Sequence, residues 1–124
     1  MPTPLEDYKS LIDGLVKVRA GVMAGWVRKC AFPATPEFER LSSLCAGLKD
    51  KDREAIAKLV EHAREGGIHD SLVFLHDRMM IDGYRLTKNG RELPVEPFDT
   101  QLYYDWMGRV MGEAWPDERK DGER

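Results

Sequence analysis

The 124-residue sequence predicts a mainly α protein: a compact bundle of five to six helices with one β-hairpin inserted before the last helix. Three observations carry this. Apolar residues recur at helical steps of three and four over most of the chain. Proline and glycine fall between those runs as punctuation. One stretch alone, YRLTKNGRELPV, has the two-residue alternation of strands around a tight turn.

The opening TPLE has the grammar of a helix N-terminus, with Thr3 as cap, Pro4 in the first helical position and Glu6 closing a capping box. Tyr8, Leu11, Ile12, Leu15, Val16, Val22, Met23, Trp26 and Val27 then follow at helical spacing. A single helix over residues 4–31 would be about 42 Å long, whereas a domain of this size is only about 35 Å across. Gly21 and Gly25 are the places where a bend or break relieves that mismatch. In FPATPEF, Thr35 is the expected cap and Pro36 the start of a short second helix carrying Phe38, Leu41, Leu44 and Leu48 inward. A third helix begins near Asp50 and is expected to stop at Gly66-Gly67, and a fourth runs from Ile68 to Ile81 before Asp82-Gly83.

Asn89-Gly90 suits a two-residue type I′ turn, which needs positive φ at both positions. That turn sets Leu86 opposite Leu93 and Tyr84 opposite Val95 on one inward face, with Pro94 marking an edge strand. The fifth helix is read from EPFDTQLYYDWMGRVMG, with Asp99 as cap, Phe98 stapling onto Tyr103 and Gly112 as terminator. Residues 1–115 are thus expected to form a single helical domain, and residues 116–124 a polar, flexible tail.

The totals narrow the function classes. A net charge of −3 and scattered basic residues argue against nucleic acid, and no apolar run approaches a membrane span or a secretory leader. A cytoplasmic location is the expectation. Cys30 and Cys45 lack the spacing of a metal knuckle or a CxxC pair and read as buried free thiols.

The three histidines, His62, His69 and His76, recur every seven residues, and His69-Asp70 and His76-Asp77 resemble the adjacent His-Asp pair of HD-type phosphohydrolases. That resemblance implies a metal set of His62, His69, Asp70, His76 and Asp77. Against it, two helical turns separate His69 from His76 by about 10 Å, too far to share one zinc, and Gly66-Gly67 is expected to end the helix bearing His62. Boundary histidines bonded to a neighbouring segment are the simpler account, so no metal and no cofactor are expected. Nucleophile elbows, P-loops and dinucleotide fingerprints are all absent from the sequence, which leaves no catalytic residue to nominate.

Two helices are more apolar than one packing face requires. Phe74 and Ile81 project away from the Leu72, Leu75 and Met79 arc, and Tyr103, Tyr104, Trp106, Met107 and Met111 spread widely around the last helix. These seven residues form the candidate interaction surface. Tyr84, Tyr104 and Trp106 could instead line a small-ligand pocket beside the hairpin.

At LIDGLV, GIHDSLVFLHDRMMIDGYRLTKNGRELP and YYDWMGR the chain resembles a family of small uncharacterised bacterial proteins, a domain of unknown function, over most of residues 5–115. The resemblance implies a compact helical cytosolic protein and transfers no catalytic residue. The reading it accompanies is a non-enzymatic protein-interaction or regulatory module, a homodimer by preference. A small metal-dependent phosphohydrolase and a small-ligand-binding protein are the alternatives.

Overall fold

The computed structural model describes residues 1–120. Its elements are α1 (Pro4–Lys17), α2 (Met23–Lys29), α3 (Glu39–Ala46), α4 (Asp50–Ile81), an antiparallel hairpin of β1 (Thr87–Lys88) and β2 (Arg91–Glu92), and α5 (Leu102–Val110). The protein is mainly α, with five α-helices among the described residues and the hairpin ahead of the last of them. No helix among the described residues is long and apolar enough to cross a membrane.

Thr3 caps α1 as expected: its Oγ1 accepts the Glu6 N–H at 3.1 Å, with Pro4 in the first turn. The expected long first helix does break, and at Gly21, which adopts φ +64°. A side chain there would also collide with Arg64, whose Nε lies 2.6 Å from the position of a Cβ.

The expected stop at Gly66-Gly67 does not occur. Residues Asp50–Ile81 form one 32-residue helix, α4, running through both glycines. Glycine ends a helix by turning left-handed, and neither of these has positive φ. Their cost inside a helix is only about 1 kcal/mol each, which the strong helix formers on either side outweigh. The left-handed turn comes later, at Gly83 with φ +76°, where the Tyr84 N–H folds back to the Arg78 carbonyl at 3.3 Å.

The chain divides into two compact units: Met1–Val18 with the described residues from Ile68 onward, and Arg19–Gly67. The first is built around Tyr8, Ile12, Leu72, Met79, Leu93, Leu102, Trp106 and Trp115. Here α1 packs on α5. The second has a small core of Ala24, Val27 and Ala57, backed by Phe32 and Val60. Trp26, Phe32 and Phe38 form an aromatic cluster in it, with ring centroids 5.7–6.4 Å apart. Thr35 makes no capping bond, and Pro36–Phe38 is a 3₁₀ turn leading into α3. Leu41 and Leu44 are exposed rather than inward, because α3 is eight residues long and the face it buries carries Cys45.

The hairpin has the expected register. Thr87 faces Glu92 and Lys88 faces Arg91 across Asn89 (φ 51°) and Gly90 (φ 80°). The Leu93 N–H donates to the Leu86 carbonyl at 2.8 Å, which pairs those two leucines. Tyr84 is not on the inner face but exposed, because pairing ends at Leu86 and Leu93. Lys88 and Arg91 both donate to the buried carboxylate of Asp7, each at 3.1 Å, and so fasten the hairpin to α1. Gly90→Val is expected to lower stability by at least about 1 kcal/mol, since a β-branched residue resists positive φ. A Cβ at Gly90 meets nothing within 4 Å, so the loss measured by denaturant unfolding would report the backbone alone. An unchanged midpoint would contradict the turn geometry.

The last helix starts later than its sequence pattern suggests. Asp99 is no cap: it and Glu96 take left-handed φ values of 59° and 50°, and α5 begins at Leu102. Phe98 packs on Trp115, with centroids 5.6 Å apart, instead of stapling onto Tyr103. Gly112 follows the helix end at φ 81°. Beyond it, Pro116–Glu118 forms a 3₁₀ turn whose Asp117 and Glu118 receive Lys9 at 2.8 and 3.2 Å. Residues 121–124 of the expected tail lie outside the described residues.

Candidate functional site

The densest polar chemistry lies inside the first unit, where α1, α4 and α5 meet the loop ahead of α5. Tyr8 of α1 donates its hydroxyl to Asp105 Oδ2 at 2.5 Å, and Thr100 donates to Asp105 Oδ1 at 2.5 Å. Tyr8 and Asp105 are both buried, 97 positions apart in sequence. Burial pushes the Asp105 carboxyl above the usual aspartate range; Glu96 adds to that, while the two hydroxyls and His76 pull it back. Burial, then the bond to Asp105, drives the Tyr8 phenol far above its ordinary value, so it stays protonated at neutral pH.

His76 joins the cluster from α4. Its Nδ1 accepts the N–H of Leu102, the first residue of α5, at 3.3 Å, and its Nε2 meets Glu96 Oε2 at 3.0 Å. The first bond requires Nδ1 to be unprotonated, which leaves the ring proton on Nε2 facing the carboxylate. His76 therefore caps α5 in the role expected of Asp99, satisfying one of the free N–H groups of a helix start. Because both nitrogens are engaged, this imidazole has no lone pair left for a metal or a substrate proton.

The other two histidines are placed differently. All three share α4, contrary to the expected break, but His62 is exposed and His69 half-buried. Tyr103 of α5 packs edge-on against both His69 and His76, at 5.4 and 5.7 Å between centroids. A heptad step places two rings on one helix face, and here the pair brackets a tyrosine. Asp70 and Asp77 are exposed. Among the described residues no three His, Cys, Asp or Glu side chains gather as a metal ion would need.

The seven candidate surface residues separate into two groups. Phe74, Ile81, Tyr104 and Met111 are exposed, whereas Tyr103 and Met107 are half-buried against the core and Trp106 is wholly buried in it. Of the three residues expected to line a small-ligand pocket, Trp106 is buried in the core, whereas Tyr84 and Tyr104 are exposed. An apolar groove of about 450 Å³ does occur in the first unit, between α1, α4 and the hairpin, lined by Leu11, Leu15, Leu72, Leu75, Leu86 and Leu102.

Sequence reasoning missed Tyr8, Thr100, Glu96 and Asp105. A chain of hydroxyls and carboxylates joined across the whole length of the protein has no local spacing to reveal it. Burial of Asp7 and Asp105 was equally hidden, since both stand in runs where a charged residue usually faces solvent.

Fold and site together define a small, mainly α protein whose buried acids, tyrosine and histidine bind one another. Residues 1–117 match the sequence profile of the Family of unknown function (DUF6547), and the chain belongs to that family. No curated protein and no solved structure matches the chain.

Proposed function

We propose that the protein is a non-enzymatic interaction module of the bacterial cytoplasm that acts as a homodimer. The observation behind this reading is the set of large apolar side chains left in solvent on two helices of the first unit. Phe74 and Ile81, one heptad apart on α4, are 67% and 72% exposed; Tyr104 and Met111, one heptad apart at α5, are 59% and 71% exposed. Heptad spacing keeps each pair on a single helix face. Aromatic residues and methionine are enriched in the cores of protein interfaces, and a two-fold dimer needs only one self-complementary patch. The internal engagement of His76, Tyr8 and Asp105 supports a binding role over a catalytic one.

Sedimentation at micromolar concentration is expected to give about 28 kDa, twice the 14.2 kDa of the chain. Phe74→Ala and Tyr104→Ala should each shift the protein toward monomer with its helical circular dichroism intact. Truncating a central interface aromatic typically costs about 2 kcal/mol or more of association energy, roughly a thirtyfold weaker dimer. A wild-type monomer at every concentration would remove the self-association reading.

A further inference from the structure

We propose that Cys30 and Cys45 form a redox-active dithiol, which a low-molecular-weight disulfide converts into an intramolecular protein disulfide. Both residues belong to the second unit. Cys30 stands at the C-terminal end of α2 and Cys45 in α3. Their thiols are arranged reciprocally: Cys30 Sγ lies 3.7 Å from the carbonyl of Ser42, three residues before Cys45, and Cys45 Sγ lies 3.3 Å from the carbonyl of Val27, three residues before Cys30. Each sulfur thus reaches across to the turn that carries the other cysteine.

The backbone at Cys30 contributes to this arrangement. It adopts φ 49°, ψ 46°, a left-handed conformation uncommon for any residue but glycine, asparagine or aspartate, which turns the chain sharply out of α2. Its amide and that of Ala31 close the helix end onto Val27 and Trp26. This corner carries Cys30 to α3. It also leads into residues 31–33, which have no regular structure.

The two thiols differ in access. Cys30 is half-buried and Cys45 buried, and burial, with the nearby Cys30 adding to it, pushes the Cys45 thiol up. The thiolate is the attacking species, so Cys30 reacts first. It gives up its proton and attacks one sulfur of the disulfide RSSR; that S–S bond breaks, and RS⁻ leaves and takes up a proton. Cys45 then gives up its proton and attacks the Cys30 sulfur of the mixed disulfide, expelling the second RS⁻, which is protonated in turn. Two protein thiols are oxidised to one disulfide, and one RSSR is reduced to two RSH. Cys45 also lines an apolar groove of about 230 Å³ with Val27, Phe32, Leu41 and Leu44, so the new bond would tie two of the groove's walls together.

The test is to incubate the full-length protein in oxidised and reduced glutathione at graded ratios and follow it by intact mass and peptide mapping. Wild type is expected to lose two hydrogens, to link the Cys30 and Cys45 peptides and to lose both maleimide-reactive thiols. Cys45→Ser, or Cys45→Ala should the serine variant fold poorly, is expected to stop at one glutathione on Cys30. In Cys30→Ser the remaining Cys45 should react at least about tenfold more slowly, as a buried thiol does. A trivalent arsenical, which bridges neighbouring thiols, should bind wild type one to one and neither single variant. Accumulation of glutathionylated Cys30 in the wild type, with Cys45 still open to alkylation, would overturn the proposal. So would a wild type left fully reduced at a ratio that modifies Cys30 in Cys45→Ser.

Discussion

Trp106→Ala is expected to cost about 3–5 kcal/mol, the range for removing a large aromatic from a core. Trp106 is wholly buried among Tyr8, Ile12, Leu72 and Leu102, so its loss would leave a void between α5 and the elements it packs against. Native domains are stable by only about 5–15 kcal/mol; the variant should therefore unfold at much lower urea or remain partly unfolded in its absence. Its indole Nε1 finds no acceptor among the described residues. Phenylalanine, which refills part of the space and brings no donor, should accordingly recover at least half of the loss. Circular dichroism during urea unfolding of the two variants checks both expectations. A loss below about 1 kcal/mol for alanine would contradict the central position of this ring.

Tyr8→Phe is expected to destabilise the protein by about 2 kcal/mol near neutral pH, as loss of a hydrogen bond to a charged group does. The substitution removes only the hydroxyl that Tyr8 donates to Asp105 and leaves the ring contacts, including Trp115 at 6.1 Å. The effect should depend on pH in a definite direction. In the wild type the folded Asp105 carboxyl already titrates above its unfolded value, so its share of stability is present below the ordinary aspartate range and is lost as pH rises through the raised folded value. Taking away the Tyr8 donor raises that folded value further. The gap between variant and wild type is therefore widest where Asp105 is charged and narrows as acid protonates it. Urea unfolding at a series of pH values measures the gap; one that widened toward acid would contradict a carboxylate acceptor at Asp105.

What the sequence revealed was local. Thr3-Pro4 declared a helix start because a cap and its proline act within four residues, and Asn89-Gly90 declared a turn and register because both residues favour positive φ. Gly21 was legible through simple length. Gly66-Gly67 was misread because glycine stops a helix only where the chain has reason to turn left-handed, and within α4 it has none. Asp99 was misread for a related reason: the N–H it was expected to cap is taken by His76, from a helix 26 positions back in sequence. The chain from Tyr8 through Asp105 to Thr100 and the approach of Cys30 to Cys45 exist only once distant elements have packed. No spacing announces either.

The division of the chain also bears on the order in which it can fold. The unit Arg19–Gly67 is continuous, so all its contacts become available as soon as residue 67 has been made. The other unit is split, with α1 at one end of the chain and α5, its packing partner, at the other. At a synthesis rate of about 5–20 residues per second, α1 waits on the order of ten seconds for α5 to emerge from the ribosome. During that interval Tyr8 and Ile12 have no core to enter, and Asp7 has neither Lys88 nor Arg91. The middle of the chain can be native while its beginning is still uncommitted.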